Sequence, residues 1–116
     1  MVEMSREEFE DAVRDGLDLI PDDLTALIDD VVILVEDQTP PGRPNLLGLY
    51  TGVARTRRGN DWGVGQVPDR IIIYRSSIQR LSRTVEEVRK RVAKTVVHEV
   101  GHHFGINDAR LRELGY

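Results

Sequence analysis

The chain of 116 residues predicts an α+β domain: a small mixed sheet of three to four strands packed against one long helix, with further helices at the N-terminus. Three observations carry this expectation. Ser5-Arg6-Glu7-Glu8 and Thr84-Val85-Glu86-Glu87 both have the Ser/Thr-x-x-Glu form that satisfies the free amides of a helix start. Val31–Val35 and Arg70–Tyr74 are short, β-branched runs of strand length. Valines at positions 85, 88, 92, 96 and 100 keep a helical period over the longest patterned stretch of the chain.

Taken in order, the first helix opens at Ser5, carries Phe9, Val13 and Leu17 on one side and ends near Gly16. Pro21-Asp22-Asp23 starts a second, short helix, since proline suits a helix start and carboxylates suit its positive end. Leu24, Leu27 and Ile28 form its apolar side. Val31 to Val35 is uninterrupted and reads as a buried strand. Thr39 to Pro44 holds three prolines and reads as a loop. Leu47 to Ala54 reads as a weaker strand whose two glycines mark an edge. Thr56 to Pro68 is a glycine-rich connection containing Trp62, and Arg70 to Tyr74 is the stronger second strand. The long helix then runs from about 84 to 104.

At this length a single domain over residues 1–116 is expected. The longest strongly apolar run, Val31–Val35, is far too short to span a bilayer, so no membrane partner is expected. The N-terminus lacks both a basic start and an apolar stretch, which argues against a secretory signal. The absence of cysteine fits the cytoplasm, which is the expected location. A net charge of −4 and a pI near 5.3 argue against a general nucleic-acid binder. The charge is uneven, however. Residues 1–37 hold thirteen Asp/Glu against two Arg, and residues 55–94 hold eleven Arg/Lys against four Asp/Glu. A basic groove can recruit an acidic peptide or RNA, but the simpler reading is two solvated faces that attract one another within the fold.

The segment His98-Glu99-Val100-Gly101-His102-His103-Phe104-Gly105-Ile106-Asn107-Asp108 carries the chemistry. Its form is H-E-x-x-H-x-x-G-x-x-D. On a helix of about 3.6 residues per turn, His98 and His102 emerge from one face. Two neutral imidazoles so spaced can grip one zinc ion, Zn²⁺, and Glu99 stands where it can take a proton from a water beside the metal. Gly105 sits where a helix ends in the left-handed conformation, so the chain can reverse and present Asp108. Two histidines, one carboxylate and one open position describe a catalytic site, whereas structural zinc sites are usually closed by four protein ligands. Asn107 or Asp108 can alternatively cap a short last helix over residues 109–114. His103, five residues after His98, points away from the His98/His102 face and reads as a surface or supporting residue.

These residues resemble the zincins, whose active-site helix carries H-E-x-x-H. More closely, the chain resembles the short bacterial zincin-like metallopeptidases, or minimal zincins, with a likeness running in outline from Leu46 to Tyr116. Its marks are Leu47-Gly48-Leu49-Tyr50, Pro68 to Arg75, and the terminal helix pair. The resemblance implies a zincin-like fold, His98, His102 and Asp108 as zinc ligands, Glu99 as general base, and a peptide or protein as substrate. It also implies that the strand before the active-site helix is central and that the edge strand, Leu47 to Ala54, lies beside the metal cleft. An extended peptide can then add to that edge. The chain departs from larger relatives in lacking a downstream methionine turn, its methionines being Met1 and Met4. It also lacks a lower subdomain, and Glu113 is the only candidate for a later carboxylate ligand.

Bacterial metal-dependent endoribonucleases share H-x-x-x-H-x-x-G but lack the glutamate after the first histidine. Three readings therefore stand: a zinc-dependent peptidase or amide hydrolase, a metal-dependent endoribonuclease, and a zinc-bearing peptide-binding module with little turnover. Tyr74, Tyr50, Arg75 and Tyr116 are candidates to stabilise an oxyanion, each with a structural alternative.

Overall fold

The computed structural model describes residues 1–52, 69–106, 108–113 and 115, with the backbone alone at Asp108. Its helices are α1 (Arg6–Leu17), α2 (Asp22–Thr25, continued by a 3-10 turn over Ala26–Ile28), α3 (Arg75–Leu81), α4 (Val85–Phe104) and α5 (Asp108–Glu113). Its strands are β1 (Val32–Glu36), β2 (Gly48–Thr51) and β3 (Arg70–Tyr74). The expected α+β class holds. The sheet has three strands in the order β1-β3-β2, with β1 parallel and β2 antiparallel to β3.

The first capping box forms in full. Ser5 Oγ accepts from the Glu8 N–H at 3.1 Å, and the Glu8 carboxylate accepts from the Ser5 N–H at 3.0 Å. These bonds hold the Glu8 carboxyl below its ordinary range. Phe9, Ala12 and Val13 are buried along α1. Gly16 brings α1 against α4, because a Cβ there would stand 2.6 Å from the Arg89 carbonyl oxygen.

The second box forms by half. Thr84 Oγ1 accepts from the Glu87 N–H at 3.1 Å, but the Glu87 carboxylate takes the N–H of Arg83, one residue further back. The buried stripe of α4 runs through Val88, Val92, Ala93, Val96, Val97 and Val100. Val85, expected in that stripe, is exposed because it sits at the helix mouth, beyond the layer that α1 covers.

The strand β1 differs from expectation in burial. Its residues alternate, with Val32 and Leu34 40% and 36% exposed while Ile33 and Val35 face inward. The apolar run marks a strand, but only one face of it is covered, the one that Ile33 and Val35 turn to the core. The Arg6 guanidinium donates to the Val35 carbonyl at 2.8 Å. The central strand is β3, whose Ile71 and Ile73 have no exposed surface. The edge assigned to Leu47–Ala54 is β2, shorter than expected at its described end.

Helix α3 is not marked in the sequence. It follows β3 directly, its cap Tyr74 makes no side-chain bond, and burial of Ser77 and Ile78 holds it in place. Ser77 Oγ and the Arg80 guanidinium both donate to the Pro44 carbonyl, at 3.1 and 3.0 Å, which fastens the proline loop. The acidic and basic portions of the chain do meet, through Arg89–Asp15 and Arg75–Asp37, each at 3.2 Å. Among the described residues no helix is long and apolar enough to cross a membrane.

Candidate metal centre and active site

Helix α4 packs against β2 and β3. Two contacts set its register on β2. A Cβ at Gly48 would stand 2.6 Å from Thr95 Cγ2, and the Tyr50 N–H donates to Glu99 Oε1 at 3.0 Å. Four residues of helix rise about 6 Å and two of strand about 6.8 Å, so strand and helix advance together in the same direction. The Tyr74 N–H donates to the Leu47 carbonyl at 3.0 Å. Antiparallel alternation then turns the backbone groups of Gly48 and Tyr50 away from β3. Tyr50 N–H is thus an edge donor, and Glu99 takes it.

Helical spacing divides the motif into two rows. In the first, the rings of His98 and His102 have centroids 6.2 Å apart with planes at 67°. Zinc–nitrogen bonds of about 2.0–2.1 Å at a tetrahedral angle set two ligating ring centroids roughly 5.2 Å apart, so the observed pair must close by about 1 Å, a small side-chain rotation, to share one ion. His102 is 66% exposed, so the pair opens to solvent. In the second row, Glu99 and His103 both face Tyr50. Glu99 Oε1 is held by the strand, while Oε2 lies 3.9 Å from His102 Nδ1. The carboxylate is therefore fixed through one oxygen and offers the other towards His102.

His103 stacks on the Tyr50 ring, with centroids 3.9 Å apart and planes at 13°. The Tyr50 hydroxyl donates to Asp69 Oδ2 at 2.7 Å, and His103 Nε2 lies 3.9 Å from that oxygen. His103 thus supports the edge strand and faces away from the histidine pair. Asp69 is buried and went unmarked in the sequence, because nothing in its neighbours signals a partner nineteen residues earlier. Tyr50→Phe is expected to lower the free energy of unfolding by about 1.5–3 kcal/mol, the usual worth of a hydrogen bond to a charged group, as read by urea denaturation.

The remaining oxyanion candidates fall elsewhere. Arg75 is engaged by Asp37 and by the Met4 carbonyl at 2.7 Å, and Tyr74 is buried at the start of α3. Tyr116 lies outside the described residues, as do Asn107 and the connection with Trp62.

Gly105 ends α4 at φ 73°, where a side chain would be strained. The N–H of Ile106 then donates to the Gly101 carbonyl at 2.8 Å, the bond that closes a helix reversed by a left-handed residue. Leu111 of α5 is fully buried against Gly101, where a Cβ would stand 3.1 Å from Leu111 Cδ1. The glycine inside the motif therefore lets α5 fold back on α4. Asp108 is the first residue of α5, and its side chain lies outside the described residues. Among the described residues no three His, Cys, Asp or Glu side chains converge as a metal cluster. Glu113 is exposed and pairs with Arg110 at 3.2 Å.

A helix that sets H-E-x-x-H beside the edge of a small sheet is an arrangement suited to a metallopeptidase. The chain belongs to the zincin-like metallopeptidase family, whose sequence model matches residues 28–116. The matched region takes in the sheet, α3, α4 and α5, and leaves α1 ahead of it. Among solved structures, a conserved hypothetical protein from Thermus thermophilus is similar at 20% identity. The alignment covers 87% of this chain and 94% of that one, with a TM-score of 0.56. That likeness concerns the fold. No curated protein matches the chain.

Proposed function

We propose that the protein is a zinc-dependent peptidase or amide hydrolase, with His98, His102 and Asp108 holding the metal and Glu99 acting as general base. The observation that carries this reading is the setting of Glu99. One carboxylate oxygen is anchored by the Tyr50 N–H, and the other is turned towards His102. Zinc, when bound, supplies a Lewis acid that polarises the scissile carbonyl and makes water a competent nucleophile near neutral pH. Glu99 Oε2 takes the proton of the attacking water and returns it to the leaving amine. Gly48 and the Tyr50 carbonyl lie on the free side of β2 and can pair with an extended substrate. The ring and hydroxyl of Tyr50, held by His103 and Asp69, keep that edge and the Glu99 anchor in place.

Protein purified without chelator is expected to carry about one zinc per chain, because the ligands are nearly contiguous on one reversed helix. Elemental analysis measures this. Cleavage in a quenched-fluorescence peptide library should disappear on chelation and return with zinc. Protein that takes up no zinc on titration would remove the basis of the reading. Zinc-loaded protein that binds peptides without cleaving any would make it a binding module.

A further inference from the structure

The cleft beside the motif has a chemical character of its own. A groove of about 330 Å³ lies between β2 and α4 and opens onto His98 and Glu99. Leu46 and Leu47 form one wall, and Arg91 and Lys94 stand on the other. That volume is enough for a side chain and its neighbouring backbone.

The two cations stand beside the motif without a carboxylate of their own. Arg6, Arg14, Arg75, Arg89, Lys90 and Arg110 each have a carboxylate partner. Among the described residues Arg91 and Lys94 have none, as is also true of Arg43, Arg70, Arg80, Arg83 and Arg112, but of these only Arg91 and Lys94 line the groove. Aliphatic walls facing unpaired cations suit a carboxylate carried on a short apolar stem. The chain's net charge of −4 gives no long-range attraction for an acidic peptide, so selection would be made by contact within the groove.

Antiparallel strand pairs outnumber parallel ones about two- to three-fold, and for a substrate so paired the shared direction of β2 and α4 says which part would lie there. A peptide adding antiparallel to β2 runs against both elements. It passes Tyr50 and Glu99 first and leaves over Gly48 towards Leu46, Arg91 and Lys94. We propose that this groove selects peptides bearing a carboxylate on the C-terminal side of the scissile bond. The proposal rests on the metallopeptidase reading. An Asp or Glu side chain and a free C-terminus supply the same chemistry.

Amino acids acylated on their nitrogen by a hydroxamate-bearing group, HONH–CO–CH2–CO–Xaa, test it without requiring turnover. The hydroxamate anchors at zinc, and the attached residue occupies the groove. Four probes suffice: glutamate, leucine and lysine as C-terminal amides, and leucine as the free acid. Their dissociation constants are measured by calorimetry on protein whose zinc content has been determined. The glutamate amide, the free acid or both should bind about tenfold more tightly than the leucine amide, with the lysine amide weakest. A gain confined to the glutamate amide identifies the side chain as the preferred source, and one confined to the free acid identifies the terminus. In Arg91→Ala/Lys94→Gln the preference should shrink towards unity, and in Arg91→Glu/Lys94→Glu the order of glutamate and lysine should reverse. Each readout is a ratio of two probes on one preparation, so a less stable variant still reports. Equal binding of all four by zinc-loaded wild type overturns the proposal alone. Protein that takes up no zinc overturns the metallopeptidase reading beneath it.

Discussion

Glu99→Gln is expected to leave zinc content at the wild-type level and to lower turnover of any cleaved peptide by on the order of a hundred-fold or more. Glutamine has nearly the shape of glutamate, and its carbonyl oxygen can still accept from the Tyr50 N–H, the bond that fixes the position. What it cannot do is take a proton at the second oxygen, the one turned towards His102. Because the variant keeps the anchor and loses the base, a fall in turnover reports the chemistry and leaves the packing unperturbed. Zinc by elemental analysis and turnover by a fluorogenic peptide are measured on the same preparation. Full turnover with full zinc would assign the base elsewhere. RNA cleavage by wild type that survives Glu99→Gln would favour the endoribonuclease reading.

Asp108→Ala is expected to weaken zinc affinity by on the order of a hundred-fold, at least the loss that follows removal of an outer-sphere partner. Helix α5 starts at Asp108, within reach of a chain reversed at Gly105 and docked by Leu111 on Gly101. A carboxylate there also favours the positive end of α5, so loss of stability alone does not identify a ligand. Three substitutions separate the roles. Asp108→His should recover much of the affinity, because imidazole suits zinc. Asp108→Ser supplies a good helix start but a poor ligand, and should bind zinc as weakly as Asp108→Ala. Chelator competition reads all three. If Asp108→Ser binds zinc like wild type while Asp108→Ala is merely less stable, the residue belongs to the helix start, and Glu113, now paired with Arg110, is the next carboxylate to test.

The parts of this molecule legible in the sequence are those governed by local rules. Helix α4 announces itself because Thr84 caps it and its valines repeat within one element, and the same periodicity brings His98 beside His102. The edge position of β2 could be anticipated from its glycines, one of which meets Thr95 closely. Other features depend on what lies across a gap in the chain. The run Val31–Val35 cannot say that only one of its faces is covered, because that depends on which elements distant in sequence pack on the sheet. Helix α3 has no cap to declare it and forms because Ser77 and Ile78 fall into the core beside the proline loop. The Tyr50–Asp69–His103 cluster joins three separate segments, and the groove exists only because Leu46 and Arg91 are brought to face each other.

The two-sided character of α4 bears on how such a protein can change over evolutionary time. Along its last turns Val97, Val100 and Gly101 are buried, while His98 and Glu99 are only partly covered and His102 faces solvent. The valines that bury the helix are thus different from the residues of the motif, although they alternate within one stretch of six, and only Glu99 belongs to both sets through its bond with the Tyr50 N–H. Substitutions in the exposed set draw little on the packing of the valines, because side chains that share no contacts contribute nearly independently to stability. A duplicated copy could therefore change at the solvent-facing positions while folding as before, so that the scaffold outlives any one activity placed upon it.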